Sequence, residues 1–169
     1  MAISVNDQTK LALLYPPFAD LLGKLIIKAT SSGLPIGIFE GLRTFERQAQ
    51  LYAIGRDANG NKTGDPKTVT NAKPGYSFHA YGLAGDIVFC IPKPNGKGFT
   101  WTWERPEADW KSLADMGIGL GLESLYYSPT FKEAPHFQLS MGYKPIDLLP
   151  IYKQGGLKLL YQTVDQKKV

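Results

Sequence analysis

The chain has 169 residues, a formal net charge of +4 and a sequence pI of about 9.1. One domain is expected at this length, which can bury roughly 70% of its unfolded surface without cross-links. A single cysteine, Cys90, excludes an internal disulfide framework and a cysteine-based zinc site. The mild positive charge suits an anionic polymer, but there is no long basic block and no RNA-reading aromatic signature. We therefore expect no nucleic-acid partner.

The sequence contains no recognisable secretory or membrane-spanning segment. The N-terminal residues MAISVNDQTK lack a basic region followed by an apolar core. No apolar run approaches the roughly 20 residues that cross a bilayer. We expect a protein that is made in the cytoplasm and is not inserted into the membrane, so that a substrate beyond the membrane is reached only after the membrane is permeabilised.

The first third of the chain predicts two helices around a short strand. Pro16 and Pro17 are well placed to open the first helix. Its apolar stripe consists of Phe18, Leu21, Leu22, Leu25, Ile26 and Ala29. The stretch IGIFEG then reads as a strand, and Thr44 is a suitable N-cap for a second helix that stops at Gly55. Arg43 therefore lies between a strand end and a helix start.

Residues 55–75 are rich in Gly, Asn, Asp, Lys and Pro and show no periodicity. A connection of this length in a compact domain is usually either a functional loop or a disordered one. Beyond it, DIVFCI predicts a buried strand, PKPNGKG a hairpin-like turn and FTWTW the returning strand. A helix is predicted from Pro106 to Met116 with Gly117 as its C-cap, then a strand at HFQLS and broken helical patterning over residues 146–160. These elements predict one α+β domain that spans residues 1–169.

Four residues of the second half have more than one interpretation. Cys90 is two strand pleats beyond Asp86 and is interpreted as a core thiol rather than a metal ligand. Three tryptophans are assigned to an aromatic core, with a stacking platform for sugars as the alternative: Trp101, Trp103 and Trp110.

The only two histidines both stand near carboxylates. Asp86 follows His79 by seven residues at the head of an apolar run, and Glu133 precedes His136 by three. Catalytic zinc sites use three protein ligands of this type and keep a fourth position open. A turn through Gly82 would allow His79 and Asp86 to converge with a histidine at the start of a neighbouring strand. The alternative is that these are ordinary residues, with Asp86 capping a turn.

Two motifs carry a resemblance to a known family. SFHAYGLAGDI, residues 77–87, resembles the Ser-x-His-x-x-Gly-x-Ala-x-Asp signature of the zinc D-Ala-D-Ala carboxypeptidase/VanY group, peptidase M15. EAPHF, residues 133–137, is similar to the second signature of that group. IFEGLRTFERQAQLYAIGR and TNAKPGYSFHAYGLAGDI resemble its phage-endolysin branch of L-alanyl-D-glutamate peptidases. The resemblance covers roughly residues 11–139.

The resemblance implies a Hedgehog/DD-peptidase-like fold, with a small antiparallel sheet flanked by helices, and a Zn²⁺ cofactor. It makes three residues zinc ligands: His79, Asp86 and His136. It makes Glu133 the catalytic acid/base and Arg43 a contact to substrate or transition state. Gln48 and Ser77 match positions that line the cleft.

The implied function is hydrolysis of peptidoglycan stem peptides by zinc-activated water, at the L-Ala–D-Glu bond, by a monomeric endolysin during host cell lysis. One departure concerns Glu133, because the endolysin branch usually has Asp there and a tryptophan-rich turn before it. Two alternatives therefore stay open. One is a D-Ala-D-Ala carboxypeptidase or dipeptidase of the same family, and the other is a metal-holding binding module without catalysis.

Overall fold

The protein is described here by a computed structural model, which describes residues 3–64, 66–94 and 98–166. Within these ranges the α-helices are α1 (Val5–Leu11), α2 (Pro16–Ser31), α3 (Phe45–Ala53), α4 (Glu107–Gly119) and α5 (Pro145–Gln166). The strands are β1 (Ile36–Glu40), β2 (Ala84–Pro92), β3 (Phe99–Thr102), β4 (Glu123–Ser124) and β5 (His136–Gln138). Short 3-10 helices occupy Phe78–Tyr81 and Leu125–Tyr127. The predicted α+β class with a small antiparallel sheet is confirmed.

All strands belong to one antiparallel sheet with the order β1-β2-β5-β4, and β3 pairs with the far end of β2. The chain divides into two compact units. The first, residues 1–41 and 83–139, contains the sheet with α1, α2 and α4. The second, residues 42–82 and 140–169, contains α3 and α5. None of the helices in the described ranges combines the length and apolar character that crossing a bilayer requires.

The core of the first unit forms where α2 and α4 pack on the sheet. The predicted stripe of α2 is buried apart from Leu21, which is half-buried. A Cβ at Gly85 of β2 would lie 3.0 Å from Leu22, so glycine allows the helix and strand to approach closely. Gly117 was predicted to cap α4, which is wrong because the helix continues to Gly119. Instead, Gly117 lies within the helix and packs against the ring of Phe137 on β5.

Helix α1 was not predicted from the sequence, although it holds the edge of the sheet. Asp7 is buried, and its Oδ1 accepts a hydrogen bond of 2.8 Å from the backbone N–H of Ile38. Its other oxygen accepts from the Ser4 hydroxyl, while the Ser4 side chain caps the helix. A short, mostly exposed helix gives little periodic signal, so only the contact with β1 reveals its role.

The assignment of three tryptophans to an aromatic core is right for one of them. Trp110 is 7% exposed and packs against Phe89 with ring centroids 4.7 Å apart. Trp101 and Trp103 are 47% and 45% exposed, so the prediction is wrong for both. Cys90 is half-buried, and burial raises the pKa of its thiol.

In the second unit, the Thr44 side chain caps α3 as predicted, and Gly55 adopts a positive φ of 71° just beyond the helix. The described part of the 55–75 segment is tied together by hydrogen bonds. The Arg56 guanidinium donates to the carbonyls of Tyr52 and Thr70. The broken pattern of α5 is confirmed by non-helical backbone at residues 155–156. The centre of the predicted PKPNGKG turn, residues 95–97, lies outside the described residues.

Candidate functional site

A buried pair of Asp86 and His136 lies at the centre of the sheet in the first unit. The two residues stand directly opposite each other in the antiparallel pairing of β2 and β5. Their side chains therefore share one face, and His136 Nδ1 lies 3.0 Å from Asp86 Oδ1. The side chains are only 8% and 12% exposed. His136 begins β5 as predicted, whereas Asp86 is the third residue of β2 rather than its first.

Both ring nitrogens of His136 face oxygen atoms. Nε2 lies 3.1 Å from the side-chain oxygen of Gln138, whose amide donates a hydrogen bond of 2.8 Å to Glu123. Burial disfavours the imidazolium, but the hydrogen bond and charge of Asp86, together with Glu133 and Gln138, outweigh it and raise the pKa of His136.

Gln138 and Glu123 were missed in the sequence. Gln138 lies two residues after His136 in a strand. Its side chain therefore points to the same face of the sheet as the histidine. That spacing is a usable signal. Glu123 gave no such signal in the sequence, because its contact with Gln138 depends on the pairing of β4 with β5.

Glu133 is half-buried in the loop that leads into β5. Its backbone N–H donates to the carbonyl of Leu125, and its own carbonyl accepts from the N–H of His136. The preceding residue, Lys132, forms an ion pair of 2.5 Å with Glu107, and its ammonium group lies 4.1 Å from the ring centroid of Tyr126. The loop is thus held on both sides of Glu133. The Glu133 carboxylate is close enough to help raise the pKa of His136.

In the second unit, His79 lies in the 3-10 helix Phe78–Tyr81 and is only 2% exposed. The Ser77 hydroxyl accepts a hydrogen bond from the backbone N–H of His79, so Ser77 is the N-cap of this helix. Gly82 ends it with a positive φ of 67°, a left-handed conformation that glycine adopts without a steric penalty. The turn through Gly82 that the sequence predicted is therefore present. Its position, between His79 and the start of β2, is also the one predicted.

Arg43 and Gln48 form a second hydrogen-bonded group in this unit. The Arg43 guanidinium donates to the side-chain oxygen of Gln48 at 3.0 Å, and the Gln48 amide donates to the carbonyl of Ala72 at 2.7 Å. Gln48 is 1% exposed and links the guanidinium to the 55–75 segment. The backbone N–H of Arg43 donates to the carbonyl of His79 at 3.0 Å. Arg43 is consequently held at both its backbone and its side chain, next to the histidine-bearing helix.

Arg43 also borders a cavity of about 230 Å³ within the second unit. The cavity is mostly apolar, with charged groups from two residues at its lining. Its lining residues are Leu42, Arg43, Thr44, Phe45, Glu46, Ala80, Tyr152 and Leu157.

The structure thus groups the predicted site residues as follows. In the first unit it brings together Asp86, His136 and Glu133. In the second unit it connects Arg43 with Gln48 through their side chains, Arg43 with His79 through their backbones, and His79 with Ser77. The first group supplies an imidazole and two carboxylates, and the second an imidazole and a guanidinium. Together these are the donor types expected for metal-assisted hydrolysis.

Comparison with known proteins identifies a matching family and similar proteins. The profile of the VanY D-alanyl-D-alanine carboxypeptidase family matches residues 12–105, which include Arg43, His79 and Asp86 but not Glu133 or His136. The peptidoglycan L-alanyl-D-glutamate endopeptidase CwlK of Bacillus subtilis (strain 168) is 34% identical over 116 residues. That alignment covers 66% of this chain and 64% of CwlK, so the chain spans somewhat less than two thirds of this relative.

Two solved structures share the fold. The L-Ala D-Glu endopeptidase ChiX of Serratia marcescens has a TM-score of 0.53 at 21% identity, covering 83% of this chain and 91% of ChiX. A variant of the vancomycin-resistance D,D-pentapeptidase VanY from a VanB-type cassette, in complex with Zn(II), also has a TM-score of 0.53. It is 20% identical, covering 90% of this chain and 82% of that chain.

Proposed function

We propose that this chain, which belongs to the VanY D-alanyl-D-alanine carboxypeptidase family, is a zinc peptidase that hydrolyses the stem peptides of peptidoglycan. The observation that carries the proposal is the buried Asp86–His136 pair with the Glu133 carboxylate beside it. Buried ionisable groups cost free energy unless they are paired with each other or coordinate a metal, and this pair can do both. The identity with CwlK supports the substrate class.

His79, Asp86 and His136 would hold the zinc ion. In the first unit the Asp86 carboxylate and the His136 imidazole lie 3.0 Å apart, and in the second unit the His79 imidazole is buried. Two imidazoles and one carboxylate suit Zn²⁺, and a site with three protein ligands leaves a position open for water. The chemistry that a bound ion would supply there is a lowered pKa of its water and polarisation of the peptide carbonyl. All three side chains are buried.

Glu133 is the proposed acid/base. Its carboxylate takes a proton from the attacking water and returns it to the amide nitrogen that leaves, so the peptide bond breaks without forming a free amide anion. The anionic ligand Asp86 reduces the net charge of the metal site, which makes a base beside the water more useful. The hydrogen bonds that fix Glu133 and its neighbour Lys132 hold this base in position.

Arg43 is the proposed contact to the oxyanion that develops on the scissile carbonyl, or to a carboxylate of the substrate. Gln48 orients the guanidinium through the bond of 3.0 Å and is fixed in turn by Ala72. Ser77 supports the site by capping the helix that carries His79. Losing one such oxyanion donor typically raises the barrier by about 2.7–4 kcal/mol.

The proposed bond is that between L-Ala and D-Glu, because CwlK and ChiX carry that activity in their names. The proposed biological role is that of a monomeric phage-type endolysin, made in the host cytoplasm and acting on the cell wall after the membrane is permeabilised. A D-Ala-D-Ala carboxypeptidase is the second candidate. The description of the matched family and the glutamate at position 133 favour it.

Mass spectrometry of soluble fragments from digested peptidoglycan, with and without a chelator, tests both candidates. Chelator-sensitive release of peptides that begin with D-Glu is the expected result. Chelator-sensitive release of D-Ala alone would replace the endopeptidase with the carboxypeptidase. No cleavage by folded, zinc-loaded protein would reject catalysis and leave the metal-holding binding module.

The variant Glu133→Gln tests the role of the acid/base separately from metal binding. Its zinc content should match that of the parent protein, while hydrolysis falls by a factor of about 100 or more. The surface variant Glu104→Gln in the same unit is the matched control and should keep its activity. Near-normal turnover by zinc-loaded Glu133→Gln protein would remove Glu133 from the mechanism.

A further inference from the structure

Three exposed aromatic side chains meet on one face of the sheet in the first unit. Phe39 belongs to β1, Trp101 to β3, and Trp103 follows β3. The ring of Phe39 lies 5.6 Å from that of Trp101 and 5.0 Å from that of Trp103, in edge-to-face geometry. Their exposed fractions are 39%, 47% and 45%. Because β1 and β3 both pair with β2, these rings meet across it, and we call them the aromatic platform.

Lys10 of α1 borders the aromatic platform. Its ammonium group lies 5.1 Å from the ring centroid of Trp101 and donates hydrogen bonds to the carbonyls of Ile38 and Phe39. The platform is therefore fixed in place on one side by a cation that is itself anchored to β1. Contiguous exposed aromatic surface is typical of interaction sites.

The aromatic platform lies on the same face of the sheet as the Asp86–His136 pair. Trp101 stands directly opposite Cys90 on β2, as His136 stands opposite Asp86. Opposed residues of antiparallel strands share a face, and so do residues at even spacing along one strand. Asp86 and Cys90 are four residues apart. Trp101 therefore lies about 13 Å along β2 from the pair, at about 3.3 Å per residue, whereas Phe39 lies between Ile38 and Glu40, the partners of Ile87 and Asp86 on β2.

We infer that the aromatic platform binds the glycan strand of peptidoglycan, a β-linked chain of N-acetylated amino sugars, while the stem peptide occupies the site at Asp86 and His136. The C–H faces of pyranose rings pack on indole and phenyl rings, and their hydroxyl and acetamido groups remain in water at the rim. Stem carboxylates along the glycan also match the positive charge of Lys10. Exposed aromatic rings with a cation at their edge suit such a polymer.

The inference rests on the proposed function. The covalent structure of peptidoglycan supports the glycan strand as the ligand of the aromatic platform. The L-Ala–D-Glu bond is separated from the sugar by one alanine and a lactyl ether. The glycan must therefore pass within about 7 Å of the scissile bond, at about 3.5 Å per residue. The sugars that follow along the strand would then lie over the platform. A peptidase that holds the glycan gains affinity for intact wall without altering its chemistry at the stem.

Titration of the protein with the tetramer of N-acetylglucosamine, followed through the indole N–H signals in NMR spectra, tests the inference directly. The signals of Trp101 and Trp103 should shift with saturation, whereas that of buried Trp110 should not. The absence of any shift at Trp101 and Trp103 would overturn the inference. This measurement needs no peptidase activity. It therefore tests glycan binding by the aromatic platform even if the proposed function is wrong.

Kinetics of the double variant Trp101→Ala/Trp103→Ala provide the second test. KM for purified peptidoglycan should rise about tenfold, equivalent to about 1.4 kcal/mol of binding free energy. Turnover of a soluble sugar-free peptide that contains L-Ala–D-Glu should stay within about twofold of the parent. Ile118→Ala is the matched control, since Ile118 is 47% exposed on α4 of the same unit. Equal losses on both substrates would contradict glycan binding, and inactivity of the parent protein on both would instead reject the proposed function.

Discussion

Replacing Gly117 with alanine tests how tightly α4 packs against β5, the strand that carries His136. A Cβ at this position would lie 2.3 Å from Cε1 and 2.8 Å from Cδ1 of the Phe137 ring. Contacts this short do not occur in folded proteins, so either the ring or the helix must move. Phe137 is fully buried, which leaves the ring little room.

Two opposing effects determine the magnitude. Alanine favours a helix interior over glycine by up to about 1 kcal/mol. Overpacking a filled core costs about 1–3 kcal/mol, and a contact as short as this one belongs to the upper part of that range. We therefore expect Gly117→Ala to lower the free energy of unfolding by about 1–2 kcal/mol. For a chain of this size the corresponding fall in Tm is about 3–6 °C.

Gly119→Ala is the matched control, because it lies in the same helix and, among the described residues, no atom outside its immediate chain neighbourhood lies within 4 Å of a Cβ built there. It should leave Tm unchanged or raise it slightly. Thermal and urea unfolding followed by circular dichroism measure both variants side by side. If Gly117→Ala proves as stable as Gly119→Ala, the packing of Phe137 against α4 cannot be as close as described, and the reasoning fails.

Three further changes have defined outcomes. Asp7→Ala leaves the buried N–H of Ile38 without its acceptor and should lower the free energy of unfolding in urea by about 1–3 kcal/mol. The control Asp20→Ala removes only an exposed ion pair and should change the free energy of unfolding by less than about 1 kcal/mol. Thr44→Ala removes the N-cap of α3 and should cost about 1 kcal/mol, with Thr44→Ser restoring most of it. His136→Ala should abolish zinc binding measured by metal analysis of purified protein, and unchanged zinc content would show the ligand assignment to be wrong.

Local patterns in the sequence were sufficient for the elements whose causes are local. The stripe of α2, its opening prolines and the Thr44 cap each depend on residues within a few positions of one another. The same holds for Gly82, where the need for a left-handed backbone conformation follows from a short turn. Helix α1 and strand β4 were missed because each is too short to show a period.

The sequence alone determined which chemical groups are available: two imidazoles near carboxylates, one arginine between a strand and a helix, and motifs that resemble one peptidase family. Only the tertiary structure decided that Asp86 meets His136 across 50 residues of chain, and that Gln138 and Glu123 extend the pair. It also decided that Trp101 and Trp103 are exposed while Trp110 is buried. The reason is physical: burial and cross-strand contacts depend on which strands pair and in what register, and distant parts of the chain set that register.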